Sequence, residues 1–188
     1  MPDLPFSCTC GKLHGHVNVA SPRAGNHVIC HCPDCRAAAI HLGQPDPAPD
    51  GVEIWQTAPE HLHITTGVEN LALMQLSPKG LYRWYAACCD APLFTSLRKP
   101  RLAFIGITAE RLENTDPLGP LIGRAFMKGT DGKYRHKGFN RIGLRIIQMI
   151  LSANLSGHWR NTPLFDDQGQ PVAEPKPLTI EERRAASA

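Results

Sequence analysis

The residues of this sequence best suited to chemistry are its seven cysteines. They fall into three groups: Cys8 with Cys10, Cys30 with Cys32 and Cys35, and Cys88 with Cys89. The N-terminus has no basic segment followed by an apolar run, so we expect a chain without a secretory signal in a reducing compartment. Because such a compartment keeps thiols reduced and an odd number cannot pair completely, the spacing favours metal or thiol chemistry over disulfides.

The stretch CHCPDC, residues 30–35, predicts a metal site with an open position. Side chains two apart on an extended chain point to the same side, so Cys30 and Cys32 can bind one ion. A turn through the following two residues brings the sulfur of Cys35 to the same point. Zinc accepts thiolates in tetrahedral geometry and has no redox chemistry of its own.

Three thiolates on zinc leave one tetrahedral position, and this position is the mark of a catalytic site. Its occupant can be water, a substrate thiolate or a distant histidine. The alternative is a closed structural site whose fourth ligand lies elsewhere in the chain. We take Cys30, Cys32 and Cys35 as the candidate catalytic set.

Length and composition indicate one β-rich domain with an appended tail. The chain has 188 residues, of which 17 are proline and 16 are glycine, and this content favours short strands and many turns. We expect a zinc-binding β domain over residues 1–136, followed over 137–188 by a helix and a proline-rich tail. The tail is predicted to be extended or frayed, because four prolines interrupt it.

Alternating apolar residues predict strands, and one segment has the period of a helix. The predicted strands cover residues 12–19, 61–65, 71–76, 81–87 and 102–108. In residues 138–156, apolar side chains recur at helical spacing and Gly157 follows as a stop signal. The overall prediction is a mainly β protein of antiparallel sheets with a C-terminal α-helix and an extended tail.

The cysteine motifs together resemble those of a known superfamily. They are C-x-C-G at residues 8–11, C-H-C-x-x-C-R at 30–36 with Gly43 following, and C-D-A-P-L-F at 89–94. Their order and spacing are similar to those of the glutathione-dependent formaldehyde-activating enzyme (Gfa-like, CENP-V/GFA domain) superfamily over about residues 6–97. The C-terminal half looks like an uncharacterised branch.

The resemblance implies a β-tent (Mss4-like) fold with one or two Zn²⁺ ions. It places Cys30, Cys32 and Cys35 at the catalytic zinc, and Cys8, Cys10 and Cys89 at three of the four ligand positions of a structural zinc. The fourth position falls on Ala86, which cannot bind metal.

Three alternatives stay open for that fourth position. Cys88 can replace the missing ligand if a bulge turns it toward the metal, since neighbouring residues on a strand face opposite ways. A histidine, such as His14 or His16, can complete the site, or the structural zinc is altered or lost.

The resemblance implies the activity of a carbon–sulfur lyase, which in the superfamily condenses glutathione with formaldehyde. Three thiolates make zinc a weak Lewis acid, better suited to holding a thiolate than to making hydroxide. The predicted function is therefore carbon–sulfur lyase or thiol adduct chemistry with a small thiol such as glutathione. The sequence leaves open the substrate, whether turnover occurs and the oligomeric state.

The alternative function is a non-catalytic, zinc-stabilised module that binds an acidic partner or nucleic acid. Between Arg124 and Arg145 the only acidic residue is Asp131, against seven basic ones: Arg124, Lys128, Lys133, Arg135, Lys137, Arg141 and Arg145. We favour a solvated face over a nucleic-acid surface for this segment. Because no apolar stretch reaches the length of about 20 residues that a membrane requires, we expect a cytoplasmic protein without a membrane partner.

Overall fold

The computed structural model describes residues 3–19 and 24–187, and over these ranges the chain is mainly β. The strands are β1 (Asp3–Ser7), β2 (His14–Asn18), β3 (Asn26–Cys30), β4 (Val52–Thr57), β5 (Leu62–Thr66), β6 (Leu71–Gln75), β7 (Tyr82–Ala86), β8 (Ala91–Ser96), β9 (Ile105–Thr108), β10 (Gly123–Lys128), β11 (Tyr134–Lys137) and β12 (Pro175–Pro177). The α-helices are α1 (Pro33–His41), α2 (Phe139–Ser156) and α3 (Ile180–Ser187). Short 3₁₀ turns lie at Pro59–His61, Val68–Asn70, Ala109–Arg111, Asp116–Leu118 and His158–Arg160.

The strands form two sheets. One has three strands in the order β1-β2-β5, and the other has nine in the order β11-β10-β3-β4-β9-β8-β7-β6-β12. All pairs of the small sheet are antiparallel, but β10 pairs with β3 and β12 pairs with β6 in parallel. The prediction of antiparallel sheets is therefore wrong for the large sheet, which is mixed. Parallel pairs need long crossovers, and these carry no local sequence signal.

One apolar core joins the two sheets. Leu13, Val17 and Val19, the alternating positions of the first predicted strand, are all buried. The ring of Phe6 packs edge-to-face on the ring of Phe94 in the other sheet, with 5.1 Å between ring centroids. These contacts pack β1, which precedes Cys8 and Cys10, against β8, which follows Cys88 and Cys89.

The predicted strands and the main helix are confirmed at shifted boundaries. The segment at 61–65 overlaps β5, and those at 71–76, 81–87 and 102–108 contain β6, β7 and β9. Helix α2 begins at Phe139 and ends before Gly157, whose φ of 78° is the left-handed conformation that glycine adopts readily at a helix end.

The prediction of an extended or frayed tail is wrong for residues 180–187, which form a helix, whereas residues 175–177 are extended as predicted. Pro175–Pro177 form an edge strand on β6, where prolines are tolerated. Helix α3 follows, and its start is a capping box: the Thr179 hydroxyl accepts from the Glu182 N–H at 3.1 Å, and the Glu182 carboxylate accepts from the Thr179 N–H at 2.8 Å. The helix packs on α1, where Ala186 is buried beside Ala37 and Ala38.

Candidate metal centres

The first candidate centre is formed where β3 passes into α1. Cys30 is the last residue of β3, Cys32 is the N-cap of α1, and Cys35 lies in the first turn of that helix. Their sulfur atoms all lie within 4.8 Å of one another. Pro33 at the first helical position favours the start of a helix here, because its missing N–H would have no partner in that turn. The triplet therefore lies at the start of a helix, whereas the sequence predicts only a turn there.

Backbone hydrogen bonds fix the triplet. The Cys35 N–H donates to the Cys32 sulfur at 3.2 Å, so the N-cap bond of the helix is made by a ligand atom. The His31 N–H donates to the Ala125 carbonyl at 2.9 Å, which ties the motif to strand β10. The parallel pairing of β10 with β3 therefore supports the cysteines directly.

Negative charge at the triplet is concentrated on Cys35. The pKa of Cys35 lies well below its ordinary value, first because it accepts hydrogen bonds from Cys30 and Cys32, and also because the Arg83 guanidinium lies nearby. The pKa of Cys30 is raised, first by its hydrogen bond with Cys32 and then by that with Cys35. For Cys32 the hydrogen bond with Cys30 lowers the pKa, but the hydrogen bond with Cys35 and burial outweigh it and raise the pKa. Arg83 Nη1 donates to the Cys35 sulfur at 3.9 Å. A divalent ion would replace the shared protons and stabilise all three thiolates.

Two cavities open onto the triplet. The larger, of about 670 Å³, is lined by Cys35, Arg83 and apolar side chains of α1 and the large sheet. The smaller, of about 320 Å³, is lined by Cys30, Cys32 and residues of β10. A small molecule can therefore approach the cluster from either side.

Strand β10 is irregular where it borders the smaller cavity. Its pairing with β11 shifts register between Arg124 and Met127, and Phe126 has a φ of 60°. Such bulges often redirect a side chain beside a site. Here Phe126 and Lys128 form part of the cavity wall.

The second candidate centre brings together the first cysteine pair and the last one. Cys8, Cys10, Cys88 and Cys89 have sulfur atoms within 4.8 Å of one another. Cys10 lies 3.3 Å and Cys8 lies 3.8 Å from Cys88, sulfur to sulfur. Four thiolates are the full ligand set of a closed structural zinc site.

Both adjacent cysteines take part, and neither lies on a strand. Cys88 and Cys89 occupy the turn between β7 and β8, where Asp90 has a φ of 53°. Neighbouring side chains point to opposite faces only along a strand, and this rule does not apply in a turn. Cys88 can therefore supply the fourth sulfur without a bulge at the cysteines. His14 and His16 are not members of either cysteine group; the His14 Nδ1 contacts the Gly11 carbonyl at 3.1 Å and His16 stacks on His63.

The chain around Cys8 favours its thiolate. Burial raises the pKa of Cys8, but hydrogen bonds from the Leu13 N–H and from neighbouring thiols outweigh it and lower the pKa to about 6. The Leu13 N–H donates to the Cys8 sulfur at 3.3 Å. Burial and the same network raise the pKa of Cys88 to about 12. In the four-cysteine group, Cys8 is the sulfur that carries charge first.

Arg83 is not among the site residues predicted from the sequence. The sequence pattern that could have indicated it is a single cation in the middle of an aromatic strand, LYRWYAA, with Tyr82 and Trp84 on either side. A charged side chain in such a strand is seldom fully buried without an ionic partner, so the pattern marks a functional candidate. The basic segment has a different environment: all four residues of Tyr134–Lys137 are exposed to solvent.

Comparison with known proteins identifies a family but no activity. The model of a family of unknown function, DUF6151, matches residues 2–176. No curated protein matches the chain. A crystal structure of a Rhodobacter sphaeroides protein is 20% identical to it, covers 62% of this chain and 96% of its own, and has a TM-score of 0.44. Among the described residues, no helix is both long and apolar enough to cross a membrane.

Proposed function

The chain belongs to the DUF6151 family of unknown function, and we propose that it binds zinc and uses one of its two centres to hold a small thiol for carbon–sulfur chemistry. The centre is Cys30, Cys32 and Cys35. A Gfa-like relationship and a β-tent (Mss4-like) fold are parts of the same proposal, and they rest on the order of the cysteine motifs.

The observation that carries the proposal is the contrast between the two centres. Cys8, Cys10, Cys88 and Cys89 supply four sulfurs, whereas the triplet supplies three and gains no fourth cysteine, histidine or carboxylate from the described parts of the chain. Four ligands close a tetrahedral site and three leave a position for an outside molecule. The open centre is also the one that borders two cavities.

Zinc at the triplet would supply a position for a thiol sulfur and would lower the pKa of that thiol. The residues of the chain then have distinct roles. Arg83 balances the negative charge of three thiolates, since its guanidinium lies beside Cys35. Apolar side chains on the wall of the larger cavity, such as Leu42, Ile54 and Phe94, can contact the hydrocarbon part of such a thiol.

The reaction class is reversible addition of a thiol to an aldehyde. In the forward direction the sulfur–carbon bond forms, the carbonyl electron pair moves to oxygen, and that oxygen takes the proton released by the thiol. In the lyase direction the sulfur–carbon bond breaks and the hydroxyl proton returns to sulfur. No electrons are gained or lost overall, which suits a metal without redox chemistry.

Calorimetric titration of the zinc-loaded protein with glutathione tests the proposal. We expect saturable heat in the millimolar range or below, and none with S-methylglutathione, which has the same groups but no free thiol. A C32A variant should lose the response, because it removes a ligand of the open centre. Heat of dilution alone with glutathione and also with the smaller thiol 2-mercaptoethanol would overturn the proposal.

A second candidate function is a binding module for an acidic partner or nucleic acid. It is favoured by an exposed cluster of aromatic rings in the basic segment, where Phe126 lies beside Tyr134 and His136. Such rings can stack on bases while nearby cations contact phosphates. Filter binding with single-stranded nucleic acid at two salt concentrations tests it: salt-sensitive retention supports this function, and retention equal to background contradicts it.

A further inference from the structure

Arg83 is a buried cation at the base of the larger cavity. It lies on β7, is 8% exposed, and lines the cavity together with Cys35. Its one polar contact among the described residues is the Cys35 sulfur, 3.9 Å from Nη1. None of the ion pairs within the described ranges includes it: these join carboxylates to Arg36, Arg111, Arg135, Arg183, His27, His61 and His158.

A single distant sulfur satisfies little of the hydrogen-bonding capacity of a guanidinium. An arginine has five N–H donors in a planar fork that matches a carboxylate in two parallel bonds. The Cys35 thiolate offsets the charge of Arg83 but accepts from only one of these donors, and no other Arg83 nitrogen is a buried atom without a partner, so the remaining donors are open to solvent or to a ligand. The donors that Arg83 directs to the cavity are therefore suited to an anion that enters it.

The rest of the cavity does not attract anions. Asp50 and Glu113 are exposed on its lining, and further carboxylates of the lining already have partners, such as Asp46 with Arg36 and Glu110 with Arg111. These groups disfavour negative charge near the entrance. Any preference of the cavity for an anionic ligand must then come from Arg83.

The separation of Arg83 from Cys35 sets an upper limit on the size of that ligand. Two sulfurs bound to one tetrahedral zinc would lie about 3.8 Å apart, since zinc–sulfur bonds are about 2.3 Å. Because Arg83 Nη1 lies 3.9 Å from the Cys35 sulfur, a ligand sulfur at the open position would lie no more than about 8 Å from the guanidinium. A chain of about two or three carbon atoms can join such a sulfur to a carboxylate in contact with Arg83.

We propose that Arg83 is the specificity-determining residue of the open centre, and that it binds the carboxylate of a short-chain thiol whose sulfur takes the fourth position. This inference rests on the proposed function. It adds the chemical class of the ligand: a thiol with a carboxylate two or three carbons from sulfur.

Thiol titration of the cobalt(II)-loaded protein tests the assignment, because thiolate–cobalt absorption reports each ligand that reaches the metal. The ligands are 3-mercaptopropionate and 2-mercaptoethanol, which differ in whether they carry a carboxylate. For the wild type we expect at least tenfold tighter binding of 3-mercaptopropionate. In R83M both thiols should bind less tightly, because the variant removes a cation beside the centre, and the preference for 3-mercaptopropionate should disappear or reverse.

Two further variants separate charge recognition from support of the fold. R83K keeps a cation but loses the planar fork, so it should retain part of the preference. R124M removes an exposed arginine outside the cavity and should behave as the wild type. If R83M fails to hold cobalt, the R83K preference decides: a value equal to that of the wild type would contradict recognition by the fork.

The outcomes distinguish this inference from the proposed function. Binding of both thiols by the wild type with equal affinity would overturn the role of Arg83 and leave the thiol site intact. Binding of neither thiol would overturn both. Unchanged selectivity in a cobalt-loaded R83M protein would also overturn the role of Arg83.

Discussion

Arg183 of α3 donates a hydrogen bond to Asp34 of α1, with 2.7 Å between Nη2 and Oδ1. Asp34 lies between Cys32 and Cys35, so the C-terminal helix is joined to the first turn of the helix that carries the open centre. Arg183 also donates to the Leu76 carbonyl at 2.9 Å. One side chain thus connects the tail, the large sheet and the cysteine motif.

The first prediction concerns this connection. Replacement R183M should lower the free energy of unfolding by about 1 kcal/mol, since it removes a half-exposed ion pair and one hydrogen bond to a backbone carbonyl. Urea unfolding followed by circular dichroism measures the change. R184M is the matched control, because Arg184 is exposed on the same helix, and its curve should overlay that of the wild type. Equal losses in both variants would contradict a specific role for Arg183.

The second prediction is that the two centres bind metal separately. Wild-type protein should contain two zinc ions per chain by elemental analysis, and C35A and C89A should contain one each, because their sulfurs belong to different groups. Replacement H31N, inside the motif but outside either group, should leave two ions. A variant of one group that loses both ions would show that the centres depend on each other.

Metal removal gives the third prediction. The four-cysteine group joins residues 8–10 to residues 88–89, so its metal closes a long segment of chain, whereas the triplet closes only residues 30–35. Structural zinc contributes folding free energy directly. At about 2 to 4 °C per kcal/mol for a chain of this size, loss of several kcal/mol should lower Tm by about 10 °C or more.

Thermal unfolding of chelator-treated protein measures this effect. C10S should lower Tm further than C30S, because Cys10 belongs to the group that bridges distant segments. Equal Tm values for metal-loaded and chelated protein would refute a structural role for the four-cysteine group.

A fourth prediction follows from His61. Burial is the main cause that lowers its pKa below the ordinary value of 6.5; Glu60 opposes the shift, and His63 and His158 add to it. The unfolded chain therefore binds the His61 proton more readily than the folded one. The resulting stability is complete above pH 6.5 and is lost as pH falls through the lowered pKa.

Urea unfolding of H61N and the wild type between pH 5 and 7.5 tests whether protonation of His61 destabilises the folded chain. The variant should show a smaller loss of stability on acidification than the wild type over this range. A steeper loss in H61N would mean that His61 is stabilised in its charged form, contrary to this expectation.

The fifth prediction concerns a buried tryptophan beside the larger cavity. Trp84 Nε1 donates to the Ser96 hydroxyl at 2.9 Å, and both residues are almost fully buried. S96A leaves the indole N–H without this partner and should cost about 1 to 3 kcal/mol of unfolding free energy. T95A, at the neighbouring and less buried position, should cost less. Urea unfolding of both variants measures whether S96A lowers the unfolding free energy more than T95A does.

Local patterns in the sequence predict much of this fold. Alternation identifies β2 through Val17 and the flanking Leu13 and Val19, and helical spacing with Gly157 identifies α2, because burial of one face is a local property of a regular element. The capping residues Thr179 and Glu182 of α3 are also a local signal, which the prolines of the tail obscured.

Other features depend on residues far apart in the chain. The parallel placement of β10 beside β3 is set by a crossover and by packing, so no window of sequence contains it. The role of Cys88 depends on a turn whose backbone differs from a strand. Arg83 contacts Cys35 of α1, more than forty residues before it in the sequence. Spacing shows which cysteines belong together, but the cavity and its cation require the fold.

The spacing of the two centres also sets an order of events during synthesis. As the chain leaves the ribosome, the sulfurs at positions 30, 32 and 35 emerge almost together, so an ion can be captured by a short nascent peptide. The other centre must wait until Cys88 and Cys89 are made, roughly fifty residues later. The three-cysteine centre can thus be loaded first, and an ion bound later by the other group would join the beginning of the chain to its middle.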